Sequence, residues 1–87
     1  MEKVYLVITK LENCSPAIDM ACASYSLADK VAHDLIGTLE APYDGYLWTR
    51  QEVKCGDTLQ IFIWGTDANY KEFPVATIKV ISMPLMQ

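Results

Sequence analysis

The sequence predicts one α+β domain over residues 1–87, in which a mostly antiparallel five-stranded sheet carries a single helix on one face. Two observations support this fold class. Five short segments rich in β-branched and aromatic residues are separated by turn-forming residues, which is typical of strands. Only one segment repeats its apolar residues with the 3.6-residue spacing of an amphipathic helix. The predicted element order is therefore β-β-α-β-β-β.

The predicted strands are bounded by residues that favour turns. Asn13, Ser15 and Pro16 separate the first two strands. The segment Cys55-Gly56-Asp57 predicts a hairpin between the third and fourth strands. The strands themselves are expected at residues 3–10, 17–23, 46–54, 58–64 and 75–83.

The predicted helix begins after Ser26, whose hydroxyl is suited to accept a hydrogen bond from the first turn as an N-cap. Asp29 follows three residues later, where the helix dipole favours a negative charge. Gly37 indicates fraying or the C-terminal end of the helix. The apolar stripe consists of residues 27, 28, 31, 32, 35, 36 and 39. The polar side carries Lys30, His33 and Asp34.

Side chains alternate between the two faces of a strand, so parity assigns each strand residue to one face. The face expected to pack on the helix collects aliphatic residues: Val4, Leu6, Ile8, Ile18, Met20, Cys22, Leu47, Val53, Leu59, Ile61, Ile63, Ala76, Ile78 and Val80. The opposite face collects Tyr5, Val7, Thr9, Ala21, Ala23, Tyr46, Trp48, Arg50, Glu52, Lys54, Gln60, Phe62, Trp64, Val75, Thr77, Lys79 and Ile81. No second helix is predicted to cover that face, and a β-bulge would reverse the alternation locally.

Composition and charge argue against several functional classes. The net charge of −4 disfavours bulk nucleic-acid binding, and eleven acidic residues are too few for a DNA mimic. Three cysteines without a C-x-x-C pair and one histidine predict no metal site, and no cofactor motif is present. No apolar run is long enough for a signal peptide or a membrane span, and reduced cysteines are typical of a cytoplasmic protein.

Three arrangements could support chemistry, and a simpler interpretation is favoured for each. His33 follows Asp29 by four residues and could form an acid–base pair, but both lie on the polar side of the predicted helix. Cys22 could pair with His33 as a nucleophile, although Cys22 is predicted to be buried. Asp44 and Asp67 lie in loops flanked by aromatic residues and could line a ligand site. With no catalytic motif, the sequence predicts a protein that is not an enzyme.

The ring-rich face is the predicted functional surface, because Tyr, Trp and Arg are enriched at the energetic centres of interfaces. The predicted partner-binding residues are Tyr5, Tyr46, Trp48, Arg50, Phe62 and Trp64. The favoured hypothesis is a protein partner, with a homodimer as one form of it. One alternative is a single-stranded nucleic-acid platform, with bases on the rings and basic residues near the phosphates. The others are a small enzyme or ligand-binding domain, and a mixed face that meets water.

Two segments carry a resemblance to known proteins. The opening Lys3-Val-Tyr-Leu-Val, a second strand, and then Ser24-Tyr-Ser-Leu-Ala-Asp-Lys-Val-Ala resemble small proteins of bacteriophages and mobile elements over roughly the first half of the chain. The short acidic chain also resembles phage-encoded inhibitors of bacterial defence, including anti-CRISPR proteins. This resemblance implies a protein that inhibits a host protein complex in the host cytoplasm by occupying its surface. It implies no catalytic residues.

Overall fold

The computed structural model describes residues 3–40, 47–67 and 69–84. In chain order the elements are β1 (Lys3–Leu11), β2 (Ala17–Cys22), α1 (Tyr25–Glu40), β3 (Leu47–Cys55), β4 (Thr58–Thr66) and β5 (Glu72–Pro84). The strands form one sheet of order β2-β1-β5-β4-β3. Every neighbouring pair is antiparallel. The predicted α+β class and the element order are therefore confirmed.

The β3–β4 hairpin turns through two residues, and Cys55 pairs with Thr58 across it. Gly56 has a φ of 61°, a conformation that glycine adopts without the strain other residues incur. Next to it, the Asp57 carboxylate accepts a hydrogen bond of 3.3 Å from Lys3 Nζ. Hydrogen bonds from Ser82 and Lys3 hold the pKa of Asp57 below its usual range. These contacts attach the turn to the neighbouring strands β1 and β5.

Helix α1 begins two residues before the predicted position. The Ser24 hydroxyl accepts a hydrogen bond of 3.2 Å from the Leu27 N–H, and the Ser24 carbonyl accepts one of 3.1 Å from the Ala28 N–H. The predicted N-cap at Ser26 is therefore wrong. Both serines suit a cap, and the chain uses the first because β2 ends at Cys22. The helix continues through Gly37 because the apolar stripe still packs beyond it.

The core lies between α1 and one face of the sheet. Small helix residues, Ala28 and Ala32, are fully buried and let the helix approach the strands closely. The three inner strands β1, β5 and β4 contribute most of the largest buried side chains of the sheet: Val7, Leu59, Ile61, Ile63, Ile78 and Val80. Removing each such side chain from water contributes about 1.5–3 kcal/mol before the entropy cost. The predicted inward parity of β4 is confirmed.

Strand β1 presents the opposite parity from the one predicted. Val7 lies opposite the buried Val80, and Thr9 lies opposite the buried Ile78, so both face the helix. Val4, Leu6 and Ile8 consequently lie on the other face of the sheet. The alternation of β1 cannot decide this question, because apolar residues occupy both of its faces.

Strand β3 is also reversed. Glu52 lies opposite the buried Ile61, so the helix-facing side of β3 carries charged residues, and the exposed Leu47 and Val53 lie on the other side. Helix α1 contacts β1, β2 and β5, which leaves β3 at the border of the covered area. Charged side chains reach water there, so the helix-facing side of this strand need not be apolar.

Two bulges account for the remaining differences. Asp19 is an extra residue in β2, so Met20 lies opposite Val7 while Ile18 lies opposite Ile8 on the other face. A second register shift places Ala76 opposite Ile63 but Pro74 opposite Trp64, which makes Val75 the extra residue of β5. Val75 and Ala76 are both buried. The predictions that Ile18 is a core residue and that Val75 is exposed are therefore wrong.

Candidate functional site

The face of the sheet turned away from α1 is the candidate site, and we call it the open face. In the described part of the chain, α1 is the only helix and it packs on the opposite face. The pairing register assigns to the open face Val4, Leu6, Ile8, Lys10, Ile18, Ala21, Leu47, Thr49, Gln51, Val53, Cys55, Thr58, Gln60, Phe62, Trp64, Thr66, Glu72, Pro74, Thr77, Lys79, Ile81 and Met83.

The open face leaves large apolar side chains in contact with water. Leu47 and Ile18 are 67% and 63% exposed, and Met83 and Val53 are 46% and 45% exposed. Between them lie half-buried aliphatic residues of β1 and β5. Several exposed large apolar side chains on one face of a small domain are typical of an interaction site.

An aromatic pair forms one end of this surface. Phe62 and Trp64 lie two residues apart on β4, so both rings stand on the same face. Their ring centroids are 6.0 Å apart and the planes are inclined by 20°, a stacked arrangement. Both side chains are half-buried. Held against each other, the rings lose little further conformational freedom when a partner covers them.

Two lysines lie between the aromatic pair and the aliphatic residues. Lys79 is opposite Ile8 on one side and Gln60 on the other, and Lys10 is opposite Thr77. A concavity of about 300 Å³ lies here, lined by Ile8, Lys10, Pro16, Gln60, Phe62, Thr77 and Lys79. No carboxylate is among these described lining residues. Lys10 and Lys79 therefore make this concavity cationic, whereas an adjoining concavity at the aromatic pair is lined by Glu12 together with Lys10.

The structure brings together only part of the predicted site. Phe62 and Trp64 lie on the open face. Trp48 and Arg50 lie on the helix-facing side of β3, where Trp48 packs against the core. Tyr5 also faces the helix, with its ring edge-on to Tyr25 at 6.0 Å. Tyr46 lies outside the described residues.

Sequence reasoning missed the aliphatic half of the open face. Leu6, Ile8 and Ile18 were assigned to the core because aliphatic residues were matched to the helix stripe. Lys10 was assigned to neither face. The signal that could have identified them is the apolar character of both faces of β1, which predicts a strand covered on both sides.

His33 and Glu52 form a polar link between α1 and β3. His33 Nε2 lies 2.7 Å from Glu52 Oε1, and Nδ1 lies 2.7 Å from the Asp29 carbonyl oxygen. The hydrogen bond to this carbonyl raises the pKa of His33, partial burial opposes the shift, and Glu52 raises it further. Acceptors of the fold face both ring nitrogens, so this arrangement ties two elements together, while His33 lies on the exposed side of α1 as the sequence predicts.

The other catalytic candidates have structural roles or lie outside the described residues. Asp67 Oδ1 accepts hydrogen bonds from the N–H groups of Asn69 and Lys71 at 2.9 and 3.0 Å, which shapes the β4–β5 loop. Asp44 lies outside the described residues. Cys22 is buried, as predicted. Within residues 3–40, 47–67 and 69–84, no group of acidic, histidine or cysteine side chains could hold a metal ion.

The comparisons with known proteins give no relatives. No protein-family model matches the chain, and neither the curated proteins nor the solved structures contain a match. Among the described residues, no helix combines the length and the apolar character that crossing a membrane requires. The open face is therefore the feature of this chain that indicates a function.

Proposed function

We propose that this chain is a small non-enzymatic binding protein that docks its open face on a partner protein. The observation that carries the proposal is the stacked pair Phe62 and Trp64 beside Lys10 and Lys79, on a face that also exposes large aliphatic side chains. An apolar centre with a few charged groups and with rigid aromatic side chains is typical of a protein interface.

Charge indicates the kind of partner. Lys10 and Lys79 lie near the centre of the open face, and the acidic residues Glu12 and Glu72 lie towards its aromatic end. Other acidic residues, Asp29, Asp34 and Glu52, lie on α1 and on the helix-facing side of β3. A partner surface with apolar pockets and carboxylates placed to meet Lys10 and Lys79 would be complementary. An acidic partner would be repelled by the remainder of this acidic chain, which would restrict docking to the open face.

The resemblance to phage-encoded inhibitors supports a more specific form of the proposal. In that form the partner belongs to a host complex, such as a bacterial defence complex, and the chain inhibits it by occupying its surface. Inhibition by occupation needs affinity and shape, both of which a rigid sheet face can provide, and needs no catalytic group.

The test uses two tryptophans that lie on opposite faces. The tagged chain is used to capture proteins from a bacterial lysate, in parallel with Trp64→Ala and Trp48→Ala. Trp64→Ala should lose the captured protein while its circular dichroism spectrum stays unchanged. Trp48→Ala, which removes a ring packed on the core, should instead lower the thermal stability.

Charge variants give the second control. Lys79→Glu should reduce capture, whereas Lys30→Glu, an exposed change on α1, should leave it unchanged. Capture that survives both Trp64→Ala and Lys79→Glu would overturn the proposal, because neither the rings nor the charge of the open face would then be in contact with the partner.

Single-stranded nucleic acid is the alternative outcome of the same experiments. The structure weakens this alternative, because Arg50 and Lys54 lie on the helix-facing side of β3 and not beside the rings. Two lysines predict a slope of only about −1.4 in a plot of log affinity against log salt. Tight binding of an oligothymidine that is lost with Trp64→Ala would identify this second class of partner and overturn the first.

A further inference from the structure

The outer strand β3 has a residue pattern that suits pairing with a second copy of itself. It lies at one edge of the sheet, and no other described strand pairs with its outer side. Its nine residues follow an uninterrupted register with β4. We propose that two copies of this chain form a dimer by antiparallel β3–β3 pairing, with the two-fold axis at Gln51.

The β3–β4 hairpin determines which backbone groups of β3 face outward. Its two-residue turn closes on the hydrogen-bonded pair Cys55 and Thr58, and bonded and non-bonded pairs then alternate along the strands. Every second residue counted back from Cys55 directs its N–H and C=O towards β4. The residues that direct these groups outward are therefore Trp48, Arg50, Glu52 and Lys54.

Pairing about Gln51 uses the whole of β3 and places opposite charges across the interface. Arg50 of each copy lies opposite Glu52 of the second copy, so the symmetry produces two such pairs. Trp48 lies opposite Lys54 of the second copy, and within each chain these two side chains pack on the core and over the Tyr25 ring. All four residues direct their backbone groups outward, so the pairing also forms about eight backbone hydrogen bonds.

Other antiparallel registers are less favourable. An axis at Arg50 or at Glu52 would place that charged residue opposite itself, which destabilises a strand pair. An axis at Thr49 or at Val53 would pair only about five residues of each strand. The charged residues of β3 therefore disfavour its pairing with other strands, but they allow the β3–β3 pairing whose two-fold axis is at Gln51.

The rest of the fold is compatible with this dimer. Edge strand β2 has six residues, is interrupted at Asp19 and follows Pro16, all features that discourage pairing. Helix α1 packs mainly on β1, β2 and β5, and it meets β3 through side chains, His33 with Glu52 and Tyr25 with Lys54. The exposed Leu47 and Val53 on the open-face side of β3 would be partly covered. The open faces of the two copies would then form one continuous surface.

Charge exchange tests the pairing by sedimentation equilibrium, with circular dichroism to confirm folding. Arg50→Glu and Glu52→Arg each place like charges in both symmetric pairs, and each should raise the dimer dissociation constant about tenfold or more. Glu52→Arg also removes the partner of His33, so the free energy of unfolding of each variant is measured beside its dimer mass. The double variant R50E/E52R exchanges the two charges and should restore the dimer. The proposal would be overturned if the wild-type chain remained a monomer at about 1 mM, where even weak complexes assemble. It would also be overturned if the dimer dissociation constant of the double variant were no lower than those of the single variants.

Disulfide trapping tests the register, in a background with the exposed cysteines removed by Cys14→Ser and Cys55→Ser. Gln51→Cys places two thiols across the axis in a non-bonded pair with Cα atoms about 4.5 Å apart, within reach of a disulfide. Thr49→Cys is the matched control, because the two copies of position 49 lie about 13 Å apart. Mild oxidation should cross-link the first variant only, and equal cross-linking of both would refute the register.

The dimer is independent of the docking partner proposed above. Trp64→Ala should remove partner capture and leave the dimer mass unchanged. Failure of one proposal therefore leaves the other standing.

Discussion

The link between His33 and Glu52 predicts that the stability of this protein depends on pH. The carbonyl oxygen of Asp29 and the carboxylate of Glu52 can only accept hydrogen bonds, and they face the two ring nitrogens of His33 at 2.7 Å each. A neutral imidazole carries one N–H, so only the cation makes both bonds. The folded state therefore favours protonated His33, in agreement with its raised pKa.

The direction of the effect follows from this raised pKa. In the unfolded chain His33 titrates near pH 6.5, and in the folded chain it titrates at a higher pH. Its contribution to the free energy of unfolding is therefore complete below about pH 6.5 and is lost as the pH rises through the folded pKa. The other titratable groups that face the ring are the carboxylates of Asp29 and Glu52.

The size of the effect follows from the exposure of the link. Hydrogen bonds between charged groups contribute about 1.5–3 kcal/mol when they are shielded from water. The side chains of His33 and Glu52 are 40% and 49% exposed, which reduces the expected value to about 0.5–1 kcal/mol. With an m-value of about 1 kcal/mol/M for a domain of this size, the urea midpoint should shift by about 0.5–1 M.

The assay is urea unfolding followed by circular dichroism, at pH 5.5 and pH 8.0 and at one fixed protein concentration. His33→Gln should be less stable than the wild type at pH 5.5, and this difference should be smaller at pH 8.0. Lys30→Gln, on the same exposed side of α1, is the control and should not change the pH dependence. If His33→Gln loses as much stability between the two pH values as the wild type, the argument from the two acceptors is refuted.

Three further changes test the fold. Val7→Ala should lower the free energy of unfolding by about 1–2 kcal/mol more than Ile8→Ala in chemical denaturation, because Val7 is fully buried and Ile8 lies on the open face; equal losses would contradict the parity of β1. Gly65→Ala should cost about 1–3 kcal/mol, since its new Cβ would lie 2.6 Å from the Phe73 ring, and an unchanged melting temperature would show that the ring moves freely. Ser24→Ala should cost about 1 kcal/mol by loss of the N-cap, with Ser26→Ala as the near-neutral control.

Much of the fold was predictable because local patterns carry it. The helix stripe predicts Ala28, Ala32 and Ile36 as buried, and all three are buried. The alternation of β4 likewise predicts that Leu59 and Ile61 lie inside. In these segments one face is apolar in a regular period and a partner layer exists to cover it, so the period alone identifies the inner face.

The predicted face of the sheet was wrong for residues whose orientation depends on pairing with a strand that is distant in the sequence. β1 is apolar on both faces, and only its pairing with β5, far along the chain, places Val7 inside and Ile8 outside. Bulges at Asp19 and Val75 shift the alternation within a strand, and no local signal marks either residue. The split of the predicted site, with Phe62 on the open face and Trp48 beneath the helix, has the same origin.

The sequence by itself determined the α+β class, the order of the elements and the inward face of the helix and of β4, because these depend on periodicity within one segment. Only the tertiary structure decided which face of β1 and β3 meets the helix, since that choice depends on register and on the position of α1 over β1, β2 and β5. For the same reason, only the structure places Lys10 and Lys79 beside the stacked rings of Phe62 and Trp64 on one uncovered apolar face.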